Sequence, residues 1–194
     1  GVVAGTGAVS KAVVLDSGGA ATIPGALSLN GNTWTTGAPA GITGGVGTVY
    51  KNAVVKEGGI IKSRILIDLT GLSSSTIDLD VIGQGASAAH IGRWLAASNG
   101  TALAGTMTCL EAPVGGVTDI DLYSATVGTA KFDDLVTDLT ETAIVTAGGT
   151  WTIGLTKYFQ DHPAVNEYLY LTGGAAGTAA AYTAGKFLIE IHGY

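Results

Sequence analysis

The stretch IIKSRILID (Ile60–Asp68) decides the fold class that this sequence predicts. Apolar and charged side chains alternate along it: the isoleucines of one side are Ile61, Ile65 and Ile67, and the charged residues of the other are Lys62, Arg64 and Asp68. Successive side chains of a β-strand point to opposite faces of the sheet, so a period of two predicts a strand with one buried face.

The same alternation recurs along the chain and predicts an all-β protein. The further predicted strands cover residues 77–82, 106–110, 119–123, 150–155, 167–171 and 186–192. Clusters of Gly, Asn, Asp and Ser separate these runs and supply the positive φ angles that turns require. Short strands separated by turns at this spacing are typical of sandwiches, and we expect a jelly-roll-like β-sandwich.

Helical signals are few. Residues 132–140 predict a short helix or turn, because Asp133 and Asp134 suit the positive end of a helix dipole. Residues 88–97 carry apolar side chains at helical spacing, but Gly92 interrupts them, so a helix and a strand both stay open there.

The first 48 residues differ in composition from the rest of the chain. Residues 12–16 and 26–29 are predicted as short strands in an almost uncharged segment, and residues 39–47 as a loop or linker. We therefore expect an extended N-terminal arm or small β module over residues 1–48, followed by a β-sandwich domain over residues 49–194.

Charge and composition exclude several classes of function. Charged residues make up 12% of the 194, about half of the usual ~25%, which suits a protein whose surface faces neighbouring copies. The net charge of −6, with scattered basic residues, argues against binding of nucleic acid through phosphates. Polar residues and glycines interrupt every long apolar run, so no membrane span is predicted.

Two Asp-x-Asp pairs are the main candidates for chemistry. On a strand, Asp78 and Asp80 would share one face about 7 Å apart, and so would Asp119 and Asp121. Such pairs could hold calcium if a loop supplied carbonyl groups, or act as the two carboxylates of a glycosidase. The interpretation that we favour is a solvated strand face, with no metal bound.

The histidines and the cysteine predict no metal or redox site. His90, His162 and His192 are not at metal-ligand spacing, and we expect them to make surface or partner contacts. Cys109 has no second cysteine to pair with and alternates with Met107, which predicts a buried, inert thiol.

Three further patterns also predict no catalytic or cofactor-binding residue. Ser87 lies in Gly-Ala-Ser-Ala-Ala, which lacks the final glycine of a hydrolase elbow. Gly185-Lys186 is followed by Phe187 where a phosphate-binding loop needs Ser or Thr. Packing roles are favoured over a sugar-binding platform for Tyr158, Tyr168, Tyr170 and Tyr182.

Five segments of the sequence together form a recognisable pattern. The first is SKAVVLDS at residues 10–17, which follows a Gly/Thr/Ala-rich stretch. The others are GIIKSRILIDLTGL at 59–72, DVIG at 80–83, GTMTCLEAP at 105–113 and YTAGKFLIE at 182–190. This pattern resembles structural proteins of marine tailed bacteriophages. The resemblance spans nearly the whole chain and implies a β-rich virion subunit without catalytic residues.

The resemblance leaves more than one role open. We expect a capsid decoration, cement or head-fibre subunit on the outside of the particle, with the arm contacting the major capsid protein or another copy. Analogy with other viral proteins implies a homotrimer. The alternative is a tail-fibre or receptor-binding domain that contacts host glycans. A carbohydrate-cleaving enzyme that uses an Asp pair is the third and least favoured hypothesis.

Overall fold

The computed structural model describes residues 27–29, 32–35, 41–42, 44–177 and 179–194, and the regular secondary structure of these residues is almost entirely β-strand. A single turn of α-helix, α1 (Ala96–Asn99), and a 3₁₀ turn at Val136–Leu139 are its helical parts. The strands are β1 (Leu27–Leu29), β2 (Asn32–Thr35), β3 (Val49–Glu57), β4 (Ile60–Asp68), β5 (Ser73–Ser74), β6 (Gly92–Arg93), β7 (Ala102–Val114), β8 (Ile120–Ala125), β9 (Glu141–Val145), β10 (Thr156–Tyr158), β11 (Tyr168–Gly173), β12 (Ala180–Ala181) and β13 (Ala184–Gly193).

Two antiparallel sheets enclose a common core, as in a β-sandwich. The larger sheet has the order β1-β2-β3-β4-β13-β7-β10, the smaller has the order β6-β11-β8-β9, and β12 pairs with β5 separately. Side chains from both sheets, such as Phe187 and Leu171, belong to one buried apolar cluster. The all-β prediction is confirmed, whereas the jelly-roll-like connection of the strands stays a prediction.

In β4, the alternation of apolar and charged side chains separates a buried face from a face that carries the charges. Ile65 and Ile67 are buried and pair with Ile189 and Phe187 of β13, and Phe187 packs edge-on against Trp151 at 5.2 Å. Burying each such side chain contributes about 1.5–3 kcal/mol. On the opposite face, ion pairs join Arg64 to Glu190 and join Lys186 to Asp68 and Glu111, across strands that the register makes neighbours.

Two predicted strands are wrong. Residues 77–82 form a turn and two isolated bridges, because Leu79 adopts a φ of 66° that no regular strand contains. Residues 150–155 form a loop and a turn with Gly154 at φ 83°. Trp151 is nevertheless fully buried, and its indole N–H donates to the carbonyl of Ile120 at 2.7 Å.

The two ambiguous segments contain short pieces of structure. Residues 88–97 hold β6 and the start of α1, so neither a continuous helix nor a continuous strand forms. Residues 132–140 contain turns and the 3₁₀ turn, which confirms the prediction of a short helix or turn.

The described part of the predicted arm contacts the main domain. β1 and β2 form a hairpin, and β2 pairs with β3, so the hairpin extends the larger sheet. The backbone N–H groups of Gly41 and Ile42 donate to the carbonyl of His90 at 3.0 and 3.1 Å. The predicted strand at 12–16 lies outside the described residues, and the boundary at residue 48 stays a prediction.

Candidate functional site

Two carboxyl groups converge beside Gly174 at one end of the smaller sheet. Asp119 precedes β8 and Asp121 lies within it, and the backbone N–H of Gly174 donates to the carbonyl of Asp119. A Cβ atom on Gly174 would lie 2.8 Å from Asp119 Oδ1 and 2.9 Å from Asp121 Oδ1. The two side chains therefore share one face, as the Asp-x-Asp spacing predicts, and the chain needs glycine where they approach it.

Asp121 is buried, so the prediction that this pair lies on a solvated face is wrong for it. Its exposed fraction is 4%, and Oδ1 accepts a hydrogen bond from the N–H of Ala147. The carbonyl of Ala147 accepts a hydrogen bond from the ammonium of Lys157. These contacts attach β8 and the strand β10 to the loop that follows β9.

Burial raises the pKa of Asp121 to about 6. The hydrogen bond from Ala147 opposes this shift, and so does the charge on Lys157. The negative charges of Asp119 and Asp78 add to it. The pKa of Asp121 thus lies well above the ordinary value of an aspartate, and the carboxyl group lies near other negative charges.

Two other polar atoms at this end of the sheet are buried without a hydrogen-bond partner. They are Asp119 Oδ1 and Thr172 Oγ1, and Thr172 is the register partner of Asp121 in the β8–β11 pair. Buried polar atoms are normally paired, so unpaired ones are uncommon and mark places where function is worth testing. Their position next to Asp121 makes this the candidate site of the smaller sheet.

A cleft opens beside Asp119, and we call it the acidic cleft. Its volume is about 420 Å³, which lies within the range of roughly 300–1,000 Å³ typical of small-ligand pockets. The hydroxyl groups of Thr118 and Thr150 lie 3.1 Å apart and hydrogen-bond to each other on its wall. Its lining residues are Gly116, Val117, Thr118, Asp119, Gly149, Thr150, Ala175, Ala176 and Gly177.

Asp121 is not part of the lining of the acidic cleft. A molecule bound there would contact Asp119, while Asp121 lies behind it with 4% of its surface exposed. The glycosidase hypothesis needs both carboxyl groups to flank one substrate bond, and this arrangement does not favour it.

The other predicted pair, Asp78 and Asp80, does not share a face. The positive φ of Leu79 between them breaks the alternation, so that Asp78 is exposed and Asp80 is 3% exposed. Asp78 acts electrostatically on Asp121, whereas Asp80 lies beside Asp133. The same-face prediction is wrong for this pair, because it assumed a regular strand.

The histidines do not meet in the structure. His90 is half-buried, its Nδ1 accepts a hydrogen bond from the N–H of Gly41 at 3.1 Å, and burial lowers its pKa. Its ring packs edge-on against Tyr168 at 4.9 Å. His162 is partly exposed and His192 is exposed. Within residues 41–42, 44–177 and 179–194, no group of three or more His, Cys, Asp or Glu side chains is placed to hold a metal.

The prediction of a buried thiol is confirmed for Cys109. Its side chain is fully buried, its Sγ donates to the carbonyl of Glu111 at 3.2 Å, and burial raises its pKa. A raised pKa keeps the group in the thiol form, which is the less reactive one. Ser87 lies in an exposed turn, with no helix after it of the kind that a hydrolase elbow requires.

The four tyrosines do not form one exposed platform. Tyr170 and Tyr182 are buried, and their hydroxyl groups donate to the carbonyls of Val127 and Val117, both at 2.8 Å. Tyr168 lies under the guanidinium of Arg93 at 4.9 Å, a cation–π contact. Tyr158, on the edge strand β10, is 80% exposed.

No known protein family, curated protein or solved structure matches this chain. Among the described residues, no helix has the length and apolar character needed to cross a membrane.

Proposed function

We propose that this chain is a non-enzymatic structural protein of a tailed-phage virion, and that it is a capsid decoration, cement or head-fibre subunit on the outside of the particle. The resemblance of residues 10–17 and 59–72 to phage structural proteins supports the assignment to a particle. The low fraction of charged residues supports dense packing against other subunits.

The hairpin of β1 and β2 is the observation that carries the proposed attachment. It joins the domain through backbone pairing of β2 with β3, at Thr33–Lys56, Trp34–Val55 and Thr35–Val54. Strand addition of this kind is a common way to bind an extended segment at the edge of a sheet. In the proposal, the arm uses such pairing to link the domain to the major capsid protein or to a neighbouring copy in a trimer.

A binding assay with particles that lack the protein tests this proposal. The full chain is expected to co-sediment with the particles in hundreds of copies each, whereas a chain without residues 1–47 stays in the supernatant. Circular dichroism establishes that the shortened chain is folded. Ser28→Pro tests the proposed strand pairing of the arm without deleting the arm. It places a residue that lacks a backbone N–H in β1.

A matched control changes the opposite edge of the same sheet. Tyr158→Ser alters an exposed side chain of β10 and is expected to leave the binding unchanged. If the folded, shortened chain binds particles as tightly as the full chain does, the arm is not the attachment segment.

A receptor-binding domain that contacts host glycans is the second proposal, and the acidic cleft favours it. The cleft is lined by the carboxyl group of Asp119, the hydroxyl groups of Thr118 and Thr150, and three glycines, and such polar groups can hydrogen-bond to a polyhydroxylated ligand. This proposal predicts only a few to a few dozen copies per particle. It also predicts glycan-array binding that Asp119→Asn weakens and that Asp161→Asn, a change at an exposed aspartate, leaves unchanged.

A further inference from the structure

The acidic cleft carries a negative charge that the folded chain does not neutralise. Asp119 is the only charged residue among the described residues of its lining. None of the ion pairs formed within the described parts of the chain involves Asp119. Its Oδ1 atom is inaccessible and accepts no hydrogen bond. A carboxylate in this state favours a ligand that brings positive charge and N–H donors.

A second carboxyl group lies directly behind the first. Asp119 Oδ1 and Asp121 Oδ1 would lie 2.8 and 2.9 Å from a Cβ atom on Gly174, so they cannot be farther apart than the sum of these distances. Asp121 Oδ1 accepts a hydrogen bond from the backbone N–H of Ala147, which is a neutral donor. When Asp121 is ionised, its charge adds to that of Asp119. The cleft therefore favours a cationic ligand over a neutral one and disfavours an anionic one.

The strand beside Asp121 leaves another polar group without a partner. Thr172 is fully buried, its Oγ1 atom makes no hydrogen bond, and it is the register partner of Asp121. Directly opposed side chains of an antiparallel pair lie on the same face of the sheet, so Thr172 lies on the face that carries Asp121. Buried polar groups are normally paired, and the chain itself does not pair all of those at this end of the sheet.

The remainder of the cleft wall suits a ligand that carries hydroxyl groups. The hydroxyl groups of Thr118 and Thr150 lie 3.1 Å apart, and each keeps free hydrogen-bonding positions, because a hydroxyl offers one donor and two acceptor sites. Apart from Asp119, the other described lining residues are glycine, alanine and valine. Their small side chains leave open the volume of about 420 Å³, which accommodates a sugar ring.

We propose that the acidic cleft selects sugars that carry a free amino group, with the ammonium group bound to Asp119 and ring hydroxyl groups bound to Thr118 and Thr150. This inference rests on the second proposed function, the recognition of host glycans, and names the class of glycan. A hydrogen bond between two charged groups is stronger than one that a neutral hydroxyl donates to a carboxylate. Acidic sugars would place a like charge against Asp119, and the cleft rejects them.

A matched pair of sugars tests the proposal. The methyl glycosides of glucosamine and glucose differ only in an ammonium group that replaces one hydroxyl group. In NMR titrations of the full chain near pH 7, where such an amine is largely protonated, the glucosamine glycoside is expected to bind with a Kd of about 1 mM. The glucose glycoside is expected to bind at least about tenfold more weakly. Ethanolamine, which has the ammonium group without the ring, should also bind at least about tenfold more weakly.

Three variants locate the preference. Asp119→Asn removes the charge and keeps the size of the side chain, so it should weaken the binding of the amino sugar at least about tenfold and abolish its advantage over glucose. Thr150→Val removes a hydroxyl group at an exposed position and should weaken the binding of both sugars alike. Asp161→Asn, the matched control, removes the charge of an exposed aspartate outside the lining and should preserve the preference. Circular dichroism establishes that each variant is folded.

The outcomes separate this inference from the function on which it rests. Equal affinity for the two sugars, or a preference that persists in Asp119→Asn, overturns the inference and leaves glycan recognition standing. Equal affinity for ethanolamine and the amino sugar also overturns it, because the ring would then contribute nothing. If neither sugar binds, the inference is overturned as well, and the glycan array then decides whether the second proposed function stands. The attachment to particles is measured separately by co-sedimentation.

Discussion

Replacement of Asp121 by asparagine is expected to change how the stability of the protein depends on pH. The carboxyl group has a pKa of about 6 in the folded chain, against an ordinary value of 3.8. Well below an ordinary pKa of about 4 it is protonated in both the folded and the unfolded chain and has no effect. As the pH rises through 3.8 towards 6, the unfolded chain ionises first, so the parent protein loses stability over this interval.

The size of this loss follows from the difference in pKa. Each pKa unit corresponds to about 1.4 kcal/mol, so the ionised group destabilises the fold by at most about 3 kcal/mol above pH 6. Solvent in the neighbouring acidic cleft will reduce the effect, and we expect about 1–3 kcal/mol. An asparagine at this position would not ionise, and its amide oxygen could still accept the hydrogen bond from Ala147.

Urea unfolding, followed by the fluorescence of the buried Trp94 and Trp151, measures this difference. Relative to the parent, Asp121→Asn should gain about 1–2 kcal/mol in free energy of unfolding between about pH 4.5 and pH 7.5, because part of the total effect is already present at pH 4.5. Asp161→Asn, a control at an exposed position, should differ from the parent in free energy of unfolding by the same amount at both pH values. The reasoning would be refuted if the difference in free energy of unfolding between Asp121→Asn and the parent did not change with pH. It would also be refuted if the parent gained stability relative to the variant as the pH rises.

Two further substitutions test the packing around the site, each against a matched control. Gly174→Ala should lower the free energy of unfolding by about 1–3 kcal/mol, because the new Cβ would lie 2.8 Å from Asp119 Oδ1. Gly173→Ala should cost less, since its nearest neighbour would be at 3.7 Å, and equal costs would contradict the close approach. Tyr182→Phe should cost about 1–2 kcal/mol in urea unfolding, because it leaves the buried carbonyl of Val117 without its donor. Tyr158→Phe, at an 80% exposed position, should cost almost nothing, and a similar loss in both would contradict the assigned role of the Tyr182 hydroxyl.

The central strands could be predicted from the sequence because one of their faces is buried. β4 and β13 lie next to each other in the larger sheet, so their alternate residues must be apolar, and the period of two is visible. β3 was not predicted from the sequence. Val54 is its one buried residue, and a strand with so little burial has no clear apolar face. β10 is an edge strand of three residues without a buried one, and it gives even less signal.

The candidate sites depended on conformation and on distant contacts. The pair of Asp119 and Asp121 was visible because both lie in or beside a regular strand. The burial of Asp121 was not visible, because its contacts with Gly174 and Ala147 join residues that are remote in sequence. The separation of Asp78 from Asp80 had no local signal at all. It arises from the positive φ of Leu79 between them, which the sequence pattern does not reveal.

The central position of β13 has a mechanical consequence. β13 is hydrogen-bonded to β4 on one side and to β7 on the other, whereas the hairpin of β1 and β2 is held at an edge through β3. A pulling force along β13 would load two ladders of hydrogen bonds in shear, so that many bonds must break together. A force on the hairpin can break its hydrogen bonds one after another, so that each step needs less force. A subunit tethered through the hairpin would therefore release under a weaker pull than one tethered through β13.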